Sequence, residues 1–316
     1  MPLQKIYYHQ KKKMENNSIE IVICTEGNGY LESMSKLLIS SLREFGGDFK
    51  DVPIFSYQPR KQFKVSQETI DFFEKNKVEY VDLELNKDFG NYPLANKLLA
   101  SAHREQNTKA EILIFLDSDV LFFNEPKEFA DFGSADVILR PVDMKNIGSE
   151  NSEDENAGYW ESLYKLLNVK VRRKVSTTVT NESIWEYYQG GHQISLTKNN
   201  LFSTANENFI KVMEVGIIPN SGSTFIEQSV FAATVSQMEL KVKLLGKKYN
   251  YPIHMENEII NSDYLVSNFD SLVSIHYHDI FKRKNVNIAR FIMQKINQIP
   301  QGKKVNEMIK SCYQFL

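Results

Sequence analysis

Apolar positions in the first 140 residues fall into short unbroken runs, with helix-spaced stripes between them. The runs at 21–24, 52–57, 78–81 and 112–116 read as strands. Met34, Leu37, Leu38 and Leu42 recur at helical spacing over 33–45, and Gly46-Gly47 closes that segment. Ile70, Phe72 and Phe73 mark a second helix, and 94–103 a third. Parallel neighbours need a crossover, so strands alternating with helices predict a doubly wound, mostly parallel sheet flanked by helices. Residues 136–140 read as another strand, and the acidic stretch 149–158 as a mobile surface loop. Helices are predicted at 159–167, 206–215 and 225–237, and strands at 190–196, 242–245 and 272–277. From 287 onward the spacing of Ile288, Phe291, Ile292 and Ile296 is amphipathic. The expected organisation is a loose basic lead-in over 1–18, one α/β domain over 19–286, and a helical tail over 287–316.

The run Ile112-Leu113-Ile114-Phe115-Leu116 is apolar on both faces, as in a central strand covered on both sides. It ends in Asp117-Ser118-Asp119, after which Val120-Leu121-Phe122-Phe123 resumes the apolar pattern. Open α/β sheets bind ligands outside the carboxyl ends of their strands. Two carboxylates in that place meet a desolvation cost that no apolar neighbour offsets. A divalent cation offsets it, because hard cations take oxygen ligands and bridge to phosphates. The same string also occurs in plain turns, where Asp bonds its own backbone.

Composition narrows the class without naming it. The chain has 316 residues, 42% hydrophobic and 25% charged, an ordinary globular balance. A net charge of −2 gives no global case for nucleic acid. Basic clusters stand at Lys11-Lys12-Lys13, Lys247-Lys248, Lys282-Arg283-Lys284 and Lys303-Lys304. Two cysteines make no disulfide framework, and Cys24, in an apolar strand, reads as a small buried side chain. No stretch approaches a transmembrane helix, and residues 1–20 lack the apolar core of a signal peptide. The expectation is a cytoplasmic protein, with peripheral contact to the inner face of a membrane left open. The strings Asn16-Asn17-Ser18 and Asn181-Glu182-Ser183 match a glycosylation acceptor but carry no weight without a secretory signal.

Four other pieces can be set beside the paired acids. The turn Thr25-Glu26-Gly27-Asn28-Gly29-Tyr30 has two glycines of a dinucleotide fingerprint, but Glu32 holds the third place. Such a turn can serve a base and ribose, with Tyr30 stacked on the base and Thr25 bonding its edge. Alternatively it is a plain connection. Lys97 lies on the helix leading into the central strand, where its head could reach a sugar or phosphate or simply be solvated. In Ser274-Ile275-His276-Tyr277-His278-Asp279, strand alternation puts both histidines on one face. Imidazoles with carboxylates would suit manganese better than calcium, although lone histidines are commonly structural. Lys282-Arg283-Lys284 follows, either as a solvated turn or as cations beside a departing diphosphate.

Taken in order, these pieces resemble the glycogenin-type branch of the glycosyltransferases with a GT-A fold. That family's Asp-x-Asp strand resembles Phe115-Leu116-Asp117-Ser118-Asp119-Val120-Leu121. Its first turn and helix resemble Thr25, Tyr30 and Ser40-Ser41-Leu42, and its Thr-Lys-Leu resembles Asn96-Lys97-Leu98. Its Phe-Asn-x-Gly turn resembles Tyr188-Gln189-Gly190-Gly191, and its Asp-Gln helix start resembles Glu227-Gln228. Its late His-Phe-x-Gly with a following lysine resembles His276-Tyr277-His278-Asp279 and Lys282.

The resemblance implies a nucleotide-diphospho-sugar transferase, with a donor half over 19–140 and an acceptor half over 141–286. It implies Mn2+ or Mg2+ on Asp117, Asp119 and His276, with His278 as the alternative ligand. The donor, a UDP-sugar by this analogy, would meet Thr25, Tyr30, Lys97, Ser118, Gly191 and Lys282. Lys97, Gln189, Glu227 and Lys282 inherit the catalytic roles, and His192 and Gln228 the sugar or acceptor contacts. Retention of anomeric configuration is implied, with a glycan, glycolipid or protein hydroxyl as acceptor. The departures are Gln189 and Glu227, longer than the family's residues, and Asp279 in place of a glycine. Two other readings stay open: a sugar nucleotidyltransferase, or a nucleotide-sugar binding protein with little turnover. The first is disfavoured because 25–30 lacks the Arg and Lys of a triphosphate loop.

Overall fold

The computed structural model describes residues 18–222, 224–255 and 269–316. Of the lead-in over 1–18, residues 1–17, with Lys11-Lys12-Lys13, Asn16 and Asn17, lie outside the described residues. The chain runs β1 (Ile19–Cys24), α1 (Tyr30–Phe45), β2 (Ile54–Tyr57), α2 (Gln67–Lys75), β3 (Val78–Val81), α3 (Ala95–Gln106), β4 (Ile112–Leu116), β5 (Val120–Phe122) and β6 (Val137–Leu139). It continues through α4 (Ala157–Leu166), β7 (Lys174–Ser176), β8 (Ser183–Trp185), β9 (His192–Leu196), α5 (Leu201–Val215), α6 (Ile226–Gln237), β10 (Val242–Leu244), β11 (Ser274–His276), α7 (Val286–Ile296) and α8 (Gly302–Cys312).

Seven strands form one mixed sheet in the order β10-β6-β9-β4-β1-β2-β3. β1 is parallel to β2 and β4, β2 to β3, and β10 to β6, while β9 runs antiparallel between β4 and β6. The expected α/β, mostly parallel sheet is therefore present, consistent with a GT-A-like architecture. β4 is buried along its whole length. Its side chains alternate between two cores: Leu113 and Phe115 on one face, Ile112, Ile114 and Leu116 on the other.

Beyond β4 the chain leaves the sheet. β5 pairs antiparallel with β11, Val120 opposite His276, as a separate two-stranded ribbon. A third core covers that ribbon, joining Met34 and Leu37 of α1 to Ile275, Tyr277 and the inner stripes of α7 and α8. The short β7–β8 hairpin carries no apolar run and leaves little trace in the sequence. The acidic stretch 149–158, expected as a mobile loop, is a hydrogen-bonded turn. There the Asp154 carboxylate accepts from the Glu150 and Asn151 backbone and pairs with Lys145 at 2.7 Å. No helix among the described residues is long and apolar enough to cross a membrane.

Candidate active site beyond the central strand

Asp117, Ser118 and Asp119 occupy the turn between β4 and β5, so the antiparallel ribbon decides what they face. The Asp117 backbone N–H donates to the Gly191 carbonyl at 3.1 Å, fixing the turn to the segment that enters β9. The Tyr277 N–H donates to the Asp119 carbonyl at 3.1 Å, fixing it to the end of β11. Ser118 Oγ lies 3.9 Å from the Met34 sulfur.

The two acids divide. Asp119 Oδ1 lies 3.0 Å from His276 Nε2, and Asp119 Oδ2 lies 3.5 Å from His278 Nδ1. One ligand atom from each of these three residues can be chosen so that all lie within 4.8 Å of one another. A carboxylate with two imidazoles is a donor set that a divalent transition cation fits. Asp117, expected as a fellow ligand, stands outside that group. Its two oxygens lie 3.1 and 3.3 Å from Lys97 Nζ.

The two histidine rings share a side, as expected, but not through strand alternation. β11 ends at His276, and His278 adopts a left-handed φ of 45°. The bend swings its ring over that of His276, with centroids 3.9 Å apart. His254 meets the His278 ring edge-on at 4.1 Å, while its Nδ1 lies 3.4 Å from the His276 carbonyl. Nothing in its sequence context pointed to this residue.

The protonation pattern follows from this packing. Burial alone would lower His276, but the Asp119 carboxylate beside it reverses the shift and raises it. Burial would likewise raise Asp119, but His276 and His278 bring it well below the usual carboxylate range. Burial, then repulsion from His276, lowers His278, leaving it in the neutral form that a metal requires.

A second group lies on the other side of Asp117. Lys97 is buried on α3, and its Nζ is 3.7 Å from Glu227 Oε1 at the start of α6. Burial would lower Lys97, but Asp117 and Glu227 hold it above the ordinary lysine range. Glu227 is raised by burial, with Lys97 opposing. The Tyr92 hydroxyl donates to Glu227 Oε2 at 2.5 Å and accepts the Ile226 N–H at 3.0 Å. Among the described residues Glu227 Oε1 has no hydrogen-bond donor, and it faces the Lys97 head. Gly190 stays close to this pair, since a Cβ there would stand 2.7 Å from Lys97 Nζ and 3.4 Å from Gln228 Oε1.

A buried polar chain supports His276 from behind. Arg140 donates to Asp143 at 2.6 Å, Gln189 donates to the same carboxylate, and the Asn250 amide donates to Gln189 Oε1. Asn250 Nδ2 then lies 3.4 Å from His276 Nδ1. Asn250 has a left-handed φ of 49°, and its amide lies so close to Gly191 that a Cβ there would stand 2.7 Å away. An amide nitrogen only donates, so this contact takes His276 Nδ1 as its acceptor, whereas a metal-ligating histidine commonly donates its second ring N–H. Sequence reasoning missed Asn250, Asp143 and Tyr92, because each acts across long stretches of chain.

Several expected contacts lie elsewhere. His192 is wholly buried, with its ring 5.2 Å from Phe129 and 6.2 Å from Phe122. It shares a strand face with Ile194, so β9 turns it into the core and away from any acceptor. Thr25 is fully buried, and its hydroxyl bonds Ser35 at 2.7 Å and Ser56 at 2.8 Å, leaving nothing for a base edge. Both ends of the Gln189 amide are engaged, so it reaches a ligand only through Asn250. Lys282 Nζ sits 2.5 Å from Asp279 Oδ1 and 4.6 Å from the Tyr30 ring centroid. Tyr30 donates its hydroxyl to the His278 carbonyl at 2.8 Å, which brings Tyr30 and Lys282 beside the histidines. Cys24 is half-buried, and burial with nearby Glu26 raises its thiol, in keeping with a small packed side chain.

The chain matches the family described as Rhodobacterales glycosyltransferase domain over residues 21–239, more than two thirds of its length. That span includes Lys97, Asp117, Asp119, Gln189 and Glu227 and ends before Asn250, His276 and His278. No curated protein matches the chain. Among solved structures it is similar to the WbbM bifunctional glycosyltransferase in its apo form, at a TM-score of 0.53 and 14% identity. The match covers 93% of this chain and 52% of that one, so the chain spans about half the length of that protein. Mouse xyloside xylosyltransferase 1, apo form, gives a TM-score of 0.48 and 11% identity over 82% of this chain and 98% of that one. At 14% identity, the WbbM likeness concerns the fold.

Proposed function

The chain belongs to the Rhodobacterales glycosyltransferase domain family, and on that footing we propose a metal-dependent transfer of sugar from a nucleotide-diphosphate sugar to an acceptor hydroxyl. The observation that carries the reading is the convergence of Asp119, His276 and His278 beside the Asp117–Lys97–Glu227 cluster, at the carboxyl end of the central strand. A transition cation such as Mn2+, held by Asp119, His276 and His278, would supply Lewis-acid neutralisation of a diphosphate leaving group, a donor set that suits it better than Mg2+.

The chain's own residues do the rest. Lys97, held charged by two carboxylates, orients the sugar and its diphosphate. Glu227, buried against the Lys97 head, holds that cation toward the sugar, with Gln228 beside it. Lys282 and Tyr30 border the site next to His278. Gln189 acts through Asn250 as a positioning residue. In the transfer, the acceptor oxygen bonds the anomeric carbon as the bond from that carbon to the diphosphate oxygen breaks. The acceptor proton leaves with the diphosphate. Charge builds on the leaving oxygens, so cations at that end count for more in the transition state than in the ground state.

A UDP-linked donor and retention of configuration rest on the glycogenin-type resemblance. A glycan, glycolipid or protein hydroxyl would serve as acceptor. The test is a thermal-shift and donor-hydrolysis screen of nucleotide sugars, with and without Mn2+. The expected result is one nucleotide class that raises Tm and is hydrolysed only when the metal is present. Pyrophosphate release from a nucleoside triphosphate and sugar phosphate would replace this reading with a nucleotidyltransferase. Donor binding without turnover on any acceptor would reduce the protein to a nucleotide-sugar binder.

A further inference from the structure

Two large apolar side chains stand exposed on α7, Ile288 at 53% and Phe291 at 51%. The helix does not need them for its own packing. Ala289, Ile292, Met293 and Ile296 already bury its inner stripe against the ribbon and α8. At 100° per residue, Ile288, Phe291 and Lys295 line up along one face of α7, on which Ile288 and Phe291 are exposed. The Lys295 ammonium lies 4.8 Å from the Phe291 ring centroid, so the basic head and the apolar ring share that face. Residues 282–316 hold eight Lys or Arg and a single acid, Glu307. That is a surplus of seven positive charges in a chain whose total is −2; Lys282 and Lys284 pair with Asp279 and Lys304 with Glu44, which reduces the surplus but leaves this end of the chain basic.

We propose that the outward face of α7 docks the protein on a bilayer surface rich in anionic lipid. Ile288 and Phe291 enter the boundary between headgroups and acyl chains, and the basic side chains around them meet the lipid phosphates. An amphipathic helix binds such a surface through apolar area and electrostatic attraction together, and both are present here. Charge complementarity selects the occupant. Two apolar side chains fall far short of the roughly 800 Å² per partner of a stable protein interface. A second copy would also bring like charge against like. The docking face begins next to the candidate site, since Lys282 leads into α7 and lies over Tyr30. An acceptor hydroxyl carried on a lipid would then be within reach, a consequence that rests on the transferase reading; the docking does not.

Full-length protein is co-sedimented with phosphatidylcholine vesicles and with vesicles holding about one third phosphatidylglycerol, at about 0.1 M and about 0.5 M salt. Anionic vesicles should bind at least tenfold more tightly than neutral ones, and the higher salt should remove most of that difference. The double variant Ile288→Ser/Phe291→Ser should weaken binding about tenfold or more. Its melting curve and donor hydrolysis in solution should match the parent, because both side chains are exposed and neither is a candidate site residue. Arg290→Glu/Lys303→Glu should weaken binding to anionic vesicles alone. Equal binding to both vesicle types, or unchanged binding by the serine variant, would overturn the proposal. So would a dimer in solution that the serine variant splits. Vesicle binding that follows this pattern without donor hydrolysis would keep the docking and sink the transferase reading.

Discussion

Asp117 sits 3.1 Å from Lys97 Nζ, while Asp119, two residues later, faces His276. The motif that reads as one pair of metal ligands is thus divided between two tasks. One acid lies against a buried cation, and the other belongs to the Asp119, His276 and His278 group proposed to hold a metal ion.

Metal affinity should separate the two acids. Asp119→Asn should lower Mn2+ affinity and turnover by about a hundredfold or more, since even residues behind a ligand are worth about 10–100-fold. Its melting temperature should fall at neutral pH, because asparagine keeps a hydrogen bond to His276 but loses the charge that raises that imidazole. Asp117→Asn should lose turnover while keeping most of its Mn2+ affinity. Titration calorimetry reads the difference, and equal losses of affinity would return Asp117 to the ligand set.

The histidines should rank. His276 is buried and closer to Asp119 than His278, whose side chain is 46% exposed. His276→Ala should therefore raise the Mn2+ concentration needed for half-maximal activity more than His278→Ala does. The reverse order in a metal titration would exchange their roles.

Lys97→Met leaves Glu227 and Asp117 without their cation in a buried place. Removing one partner of a buried pair costs about 3–5 kcal/mol, and this exchange should approach that range. Adding Glu227→Gln should recover part of the stability but none of the activity. Urea unfolding of both variants checks the first statement, and donor hydrolysis checks the second.

Gly191→Ala should weaken the metal site without touching a ligand. A Cβ there meets the Asn250 amide at 2.7 Å, and Asn250 lies against His276. The expected loss of Mn2+ affinity is about tenfold. Unchanged affinity would show that the polar chain behind His276 serves folding alone.

Glu32 supplies a pH dependence away from the site. Burial would raise its carboxyl, but bonds from Ser66 and Thr69 outweigh it and lower the pKa. A carboxylate depressed in the fold contributes stability above its unfolded pKa of about 4.3 and loses it as pH falls. Glu32→Gln should cost about 1–2 kcal/mol at pH 7, and the gap from the parent should close below about pH 4. A gap that persists in acid would mean that charge is not its source.

The sequence by itself determined the alternation of strands and helices, the burial of Ile112–Leu116 on both faces, and the placing of two acids at that strand's end. These follow from local periodicity, which a few neighbouring residues set. It also placed Lys97 on the helix before that strand and His276 on a late strand. Only the tertiary structure decided what each polar side chain meets. It set β9 antiparallel and turned His192 inward, because a run buried on both faces reads the same in either direction. It enclosed Thr25 between Ser35 and Ser56, and bent His278 over His276 through a left-handed residue. It put Asn250 behind His276 and Asp119 in front of it, the latter 157 positions away along the chain. A carboxylate or an imidazole takes the partner that folding brings nearest, and partners so distant leave no period in the sequence.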